Sequence, residues 1–262
     1  MSLTRSACTI LQTACPAAKA ALSRETAAAW REGGIAEIGD SRPPKRPARP
    51  EVPILLPPQK MPRRRGTTGR IALLHAIAHI EFNAIDLAWD MIARFSDPGL
   101  PRNFYDDWVK VGDEEAKHFL LLSKRLETLN GRYGDMPAHD GLWQAARATA
   151  HDVLARLAIA PLVLEARGLD VTPGMIDRLE HSDDIESVAI LQIILADEIG
   201  HVAIGQQWFA HIATARGLDP IASFHALVRK HYRGRLKPPF NKASRDAAGL
   251  HANWYEPLVA LS

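Results

Sequence analysis

The chain has 262 residues, enough for one sizeable core with arms, and no unbroken apolar run of about 18 residues that would mark a membrane span. Hydrophobic residues make up 47% and charged residues 24%, the balance of a folded chain, and a net charge of +2 gives no global field for a polyanionic partner. Two cysteines, Cys8 and Cys15, exclude a four-thiolate zinc or iron site within one chain. Seven residues apart on a helix, they would stand about 10 Å from each other, too far for a disulfide. This usage suits a reducing compartment, and the N-terminus lacks an apolar signal core, so a cytoplasmic location is expected.

In chain order, residues 4–32 read as an Ala-rich helix stopped by Gly33-Gly34. Residues 41–69, crowded with proline and arginine, read as an extended arm. A helix from residue 70 carries the stripe Leu74, Ala78, Glu81, Ile85, Ala88, Ile92. The next runs from Pro101 to Leu129 with the stripe Trp108, Val111, Glu115, His118, Leu122. A third is expected over 141–167, with Leu154, Ala158, Pro161 and Glu165 on its stripe, Pro161 bending it and Gly168 closing it. Thr172 and Pro173 then open a short helix over 173–181. A fourth long helix covers 184–216, with Asp183 and Glu186 as a capping box, Leu191, Ile194, Glu198, His201 and Gly205 on its stripe, and Gly217 at its end. The pentapeptide ARGLD follows both the third and fourth helices and reads each time as a basic last turn with a glycine cap. No strand pattern is present. The expected fold is all-α: a four-helix bundle over 70–217, preceded by an N-terminal helix and arm over 1–69 and followed by a C-terminal extension over 218–262.

Each of the four stripes contains one glutamate: Glu81, Glu115, Glu165 and Glu198. On the second and fourth helices a histidine follows three residues later, His118 and His201, which puts both side chains on one helix face. The spacing repeats, with 34 residues from Glu81 to Glu115 and 33 from Glu165 to Glu198. A single Glu-x-x-His is weak evidence, since most such pairs lie on surfaces. Two pairs with two upstream glutamates, all on core stripes, match a dimetal site inside a bundle. Four carboxylates and two imidazoles suit two iron ions, or manganese or a mixed pair, and the ions offset the cost of burying the carboxylates.

The segments HAIAHIEFNAIDL, DEEAKHF, APLVLEARGLD and ADEIGHV resemble the ferritin-like dimetal carboxylate superfamily, and within it an uncharacterised bacterial family. The resemblance implies a ferritin-like bundle, with Glu81 and Glu165 as terminal ligands, Glu115 and Glu198 as bridging ligands, and His118 and His201 completing the set. It also implies that the acidic residue before each bridging glutamate orients the histidine of the opposite pair. Asp197 fits that role toward His118; Glu114, in the other copy, departs from the usual aspartate.

His75 and His79 point away from the Glu81 face and are expected to make core contacts, while Asp86 and Asp90 are expected on the surface or paired with a neighbouring helix. The basic residues are uneven. Lys45, Arg46, Arg49, Lys60, Arg63, Arg64, Arg65 and Arg70 crowd the arm, and Arg229, Lys230, Arg233, Arg235, Lys237, Lys242 and Arg245 crowd the C-terminal extension. These are read as solvated, partly salt-bridged arms, with contact to a phosphate-bearing substrate or RNA as the alternative; the extension either forms part of the entrance to the metal site and favours anionic substrates, or wraps the surface and covers apolar helix faces. The leading functional expectation is an oxidoreductase that uses dioxygen on a small-molecule substrate, with electrons from an external donor. A ferroxidase or metal-binding protein without organic substrate is the alternative, and a tRNA-modifying hydroxylase, with nucleic acid as partner, the next.

Overall fold

The computed structural model describes residues 1–57, 60–61, 68–97 and 99–259; Arg63, Arg64 and Arg65 of the predicted arm lie outside them. Among the described residues the protein is all-helical, with one isolated parallel bridge between Leu55 and Ala138. The chain divides into two compact units, Met1–Gln144 and Ala145–Ser262.

In the first unit, α1 (Leu3–Gln12) and α2 (Pro16–Arg31) replace the single helix expected over 4–32. Pro16 explains the break. It has no N–H to give to the preceding turn, and it holds Cys15 extended at φ −66°, ψ 121°, so the chain restarts with Pro16 in the first turn of α2. The arm is built into the fold rather than laid over it. Ser2 gives α1 no side-chain cap, and instead Leu3 N–H and Thr4 N–H donate to the carbonyls of Glu37 and Ile38. At the other end of α1, Ala48 N–H donates to Leu11 C=O at 2.7 Å. Both ends of the helix are thereby satisfied by one strap of chain.

Helices α3 (Thr68–Arg94) and α4 (Arg102–Thr128) pack together, α1 lies against α3, and α2 lies against α4. The predicted stripes are the buried faces: Leu74, Ala78, Ile85, Ala88 and Ile92 on α3, and Trp108, Val111 and Leu122 on α4. Asp86 and Asp90 are both fully buried; of the two alternatives read for them, pairing with a neighbouring helix holds for Asp86, while Asp90 pairs within its own helix. Asp86 pairs with Lys19 of α2 and with Arg49 of the arm, and Asp90 pairs with Arg94 one turn on. A buried carboxylate left alone would be expensive, so the arm and α2 must stay in place for α3 to keep this face.

The second unit begins within α5 (Gly141–Ala148) and continues with α6 (Val153–Ile159), a π-helical turn (Ala160–Glu165), α7 (Ala166–Glu180) and α8 (Ile185–Ala215). Three smaller helices follow: α9 (Pro220–His231), α10 (Lys242–Ala247) and α11 (Ala252–Val259). The third predicted helix is therefore wrong at both ends. Asp152 starts α6 anew by accepting from Leu154 N–H, and Gly168 does not stop the chain, because α7 runs through it and through Pro173 to Glu180. The two ARGLD copies differ by backbone conformation. Gly217 adopts φ +70° after α8, and Leu218 N–H closes back on Ala213 C=O, whereas Gly168 stays out of the left-handed region and inside the helix. The cap of α8 is also one residue later than read: Asp184 accepts from Ser187 N–H, while Asp183 takes φ +53° in the turn.

Two helices are long and apolar enough to cross a membrane by length and composition, α3 and α8. In α3, 72% of that apolar window is buried inside the protein, so its hydropathy is that of a core helix; the figure for α8 is 44%.

Candidate metal centre

On α3, Glu81 sits one turn from Ala78 and Ile85, both fully buried, and is itself only 3% exposed. On α4, Glu115 and His118 are fully buried, carried inward by the Trp108–Val111–Leu122 stripe. His118 Nδ1 lies 3.1 Å from Glu81 Oε2 and 3.5 Å from Glu115 Oε2, so one ring nitrogen faces two carboxylates from two helices. One ligand atom from each of these three residues lies within 4.8 Å of the other two. Where carboxylates converge on a ring nitrogen, a positive charge belongs between them. A proton can supply it, and a metal ion can displace that proton.

In the second unit the same motif recurs on α8. Glu198 and His201 are buried, and His201 Nδ1 lies 3.5 Å from Glu198 Oε1. The two Glu-x-x-His pairs therefore share nitrogen, spacing and distance. Glu165 closes the π-helical turn and is half-buried. The turn has a sequence cause. Pro161 has no N–H to give to the preceding turn, and the Ala166 N–H reaches five residues back to Pro161 C=O. The widened turn presses on α8 at Gly205, where a Cβ would run into the Pro161 ring. Where the sequence predicts a bend at Pro161, the structure shows a widened turn.

Within the first unit Glu81, Glu115 and His118 form a buried carboxylate–imidazole set that could bind a metal ion, and within the second Glu198 is a buried carboxylate beside a buried imidazole, with the same ligand chemistry. Glu165, at the end of the π-helical turn, and His201, on α8, are the second unit's other two predicted ligands. Asp197 and Glu114, the predicted orienting residues, are half-buried on α8 and α4.

Around the Glu81 helix, sequence reasoning missed a second polar layer. His79 Nδ1 and the Tyr133 hydroxyl oxygen are 2.9 Å apart, and the Tyr133 ring stacks on His75 and His79 and meets Phe119 edge-on. Burial, and then the charge of Arg49, lower the His79 pKa to about 4, while burial raises that of Tyr133. His75 Nε2 accepts from Gly134 N–H at 2.9 Å. Both histidines thus make core contacts, as their off-stripe positions imply. Arg49 reaches this layer from the arm, donating to Asn83 Oδ1 at 2.6 Å and lying over the Phe82 ring. Nothing local in the sequence marks Arg49 apart from its neighbours in the arm.

These features define an all-helical protein with a buried glutamate–histidine set suited to metal. The chain belongs to the family described as "Protein of unknown function (DUF455)", whose model matches residues 12–256. It is 46% identical over 208 residues to an uncharacterised protein of Haemophilus influenzae (strain ATCC 51907 / DSM 11121 / KW20 / Rd), an alignment covering 77% of this chain and 72% of that protein. No solved structure matches.

Proposed function

We propose that the chain is a ferritin-like dimetal carboxylate protein, in which Glu81, Glu115, His118, Glu165, Glu198 and His201 hold two metal ions, iron first. The observation that carries this reading is the repetition of one motif in two places. Each Glu-x-x-His pair is buried with the same 3.5 Å approach, and each has a further glutamate on a helical segment earlier in the chain. Oxygen and nitrogen donors of this kind fit iron or manganese. Bound ions would supply redox chemistry with dioxygen, which no side chain here offers by itself.

The remaining work falls to the protein. Glu81 and Glu165 would each hold one ion and Glu115 and Glu198 would be shared between the two, while the apolar stripes exclude water. Asp197 and Glu114 orient the histidines, and because carboxylate and imidazole ligands bind metal only when deprotonated, affinity should rise with pH. The substrate is an unidentified small molecule, the electrons come from a separate donor, and the location is cytoplasmic. Residues 70–217 form the bundle within this reading.

Metal analysis of protein from its native host, followed by spectra after Fe(II) and oxygen are added to metal-free protein, tests it. Two ions per chain are expected. Glu115→Ala and Glu198→Ala should each lose at least one, and Asp197→Ala should weaken binding by roughly 10–100-fold. Equal metal content in all three variants and wild type at limiting metal would reject the assignment. A ferroxidase without organic substrate would instead turn over Fe(II) many times per chain with no added electron donor.

A further inference from the structure

Arg245 reads in the sequence as one more charge in a basic tail, yet the structure buries it to 1% exposure within α10. Its Nε and Nη2 donate to Asp170 Oδ1 and Oδ2 at 2.8 and 2.7 Å, and the Asp170 side chain is fully buried. Nη2 also donates to Ala166 C=O at 3.2 Å. The guanidinium lies over the rings of Phe240 and Tyr255, 4.9 and 4.4 Å from their centroids. Asn241 N–H donates to Asp170 Oδ1 and its Nδ2 to Leu169 C=O, while Arg167 Nη1 donates to Lys237 C=O. All these bonds join the C-terminal segment to residues 166–170, the turn that follows Glu165.

That turn needs an outside hold. In a regular helix each residue is placed by bonds four residues back, but here Pro161 has no N–H to give and Ala166 bonds five residues back. The α-helical register is thus broken over residues 160–165, and the Arg245 and Asn241 bonds add a second hold, from downstream, on the turn that follows Glu165. A bidentate Arg–carboxylate pair is the most directional polar contact a side chain can make. A buried ion pair is no better for stability than a well-packed apolar pair, so its use here is geometric.

We propose that Arg245 and Asp170 are positioning residues for Glu165, a latch through which the C-terminal segment sets where that carboxylate stands as a metal ligand. The proposal rests on the dimetal reading. Ligand placement must hold to about 0.5 Å, so a slack α7 turn is felt first as lost affinity at the ion Glu165 serves.

The full-length, metal-free protein is titrated anaerobically with Co(II), recording stoichiometry, affinity and the visible d–d bands. Three variants accompany wild type. Arg245→Lys keeps the charge beside Asp170 but loses the fork. Arg245→Met with Asp170→Asn removes both charges, keeps an oxygen to accept from Asn241 N–H, and restores thermal stability. Phe224→Leu, in the aromatic cluster with Phe209 and Trp254, lowers the melting temperature while leaving the Arg245–Asp170 pair and Asn241 intact. The expected result is two Co(II) in wild type and one ion weakened about 10–100-fold, with altered d–d bands, in both latch variants. That loss should persist in the double variant although its melting temperature recovers, and it should be absent in Phe224→Leu. Undiminished affinity in both latch variants, or affinity that simply follows melting temperature across the set, overturns the latch alone. A wild-type chain that binds no Co(II) overturns the dimetal reading and the latch with it.

Discussion

His79 is held neutral by where it sits, and this makes a stability prediction with a definite sign. Its pKa is lowered to about 4 in the folded protein, first by burial and then by the Arg49 charge. In the unfolded chain it titrates near the ordinary value of about 6.5. As pH falls, the unfolded chain takes up the proton first, so stability present above about 6.5 is withdrawn progressively and is lost as pH passes through about 4. At about 1.4 kcal/mol per pH unit, the withdrawal amounts to roughly 3 kcal/mol. The urea midpoint of the metal-free protein should fall across that window, and His79→Gln should flatten the fall; an identical pH slope in the variant would count against it. At this scale the sequence is legible where chemistry repeats at short range. The Glu-x-x-His pairs could be read because residues three apart are neighbours on one helix face. The Lys19–Asp86–Arg49 group could not, because Lys19 and Asp86 stand 67 residues apart and no local pattern announces their meeting.

Among the elements, α3, α4 and α8 emerge close to their predicted bounds, because long apolar stripes dominate every local preference along them. The segment between α5 and α8 does not. There two prolines and two glycines sit inside helical structure, and tertiary packing overrides their usual meaning as breakers. Gly205 and Gly168 expose that difference. Both lie inside helices, where alanine ordinarily adds about 0.5–1 kcal/mol. A Cβ on Gly168 meets nothing within 4 Å, so Gly168→Ala should raise the melting temperature. A Cβ on Gly205 runs into the Pro161 ring across the α8 contact, so Gly205→Ala should destabilise by about 1–3 kcal/mol, as overpacking does. Opposite signs in thermal melts of the two variants are expected; a rise in both would mean that the π-helical turn yields freely, and the close packing of Pro161 on α8 would then carry no weight.

For the molecule as a whole, the residues before α3 are part of the first unit's core and not an appendage to it. Leu3, Ile10, Leu11 and Trp30 are buried, and Trp30 Nε1 donates to Asp106 on α4 at 2.7 Å. Ser23 Oγ accepts from Trp89 Nε1 on α3 and donates to Gly112 C=O on α4, which ties three helices through one hydroxyl. A chain beginning at residue 68 would lose these side chains and both cations that face Asp86. Stripping the partners from a buried charge costs about 3–5 kcal/mol. Each large apolar side chain uncovered forfeits about 1.5–3 kcal/mol more. Against a typical domain stability of about 5–15 kcal/mol, the sum removes cooperative folding of residues 68–144. Circular dichroism melts of the shortened chain should lose a transition that the full chain shows, and adding a peptide of residues 1–57 should bring it back. If the shortened chain instead melts cooperatively within a few degrees of the full one, then α1, α2 and the arm merely cover a bundle that is stable without them, and the buried Lys19–Asp86–Arg49 group contributes little to holding Glu81 in place.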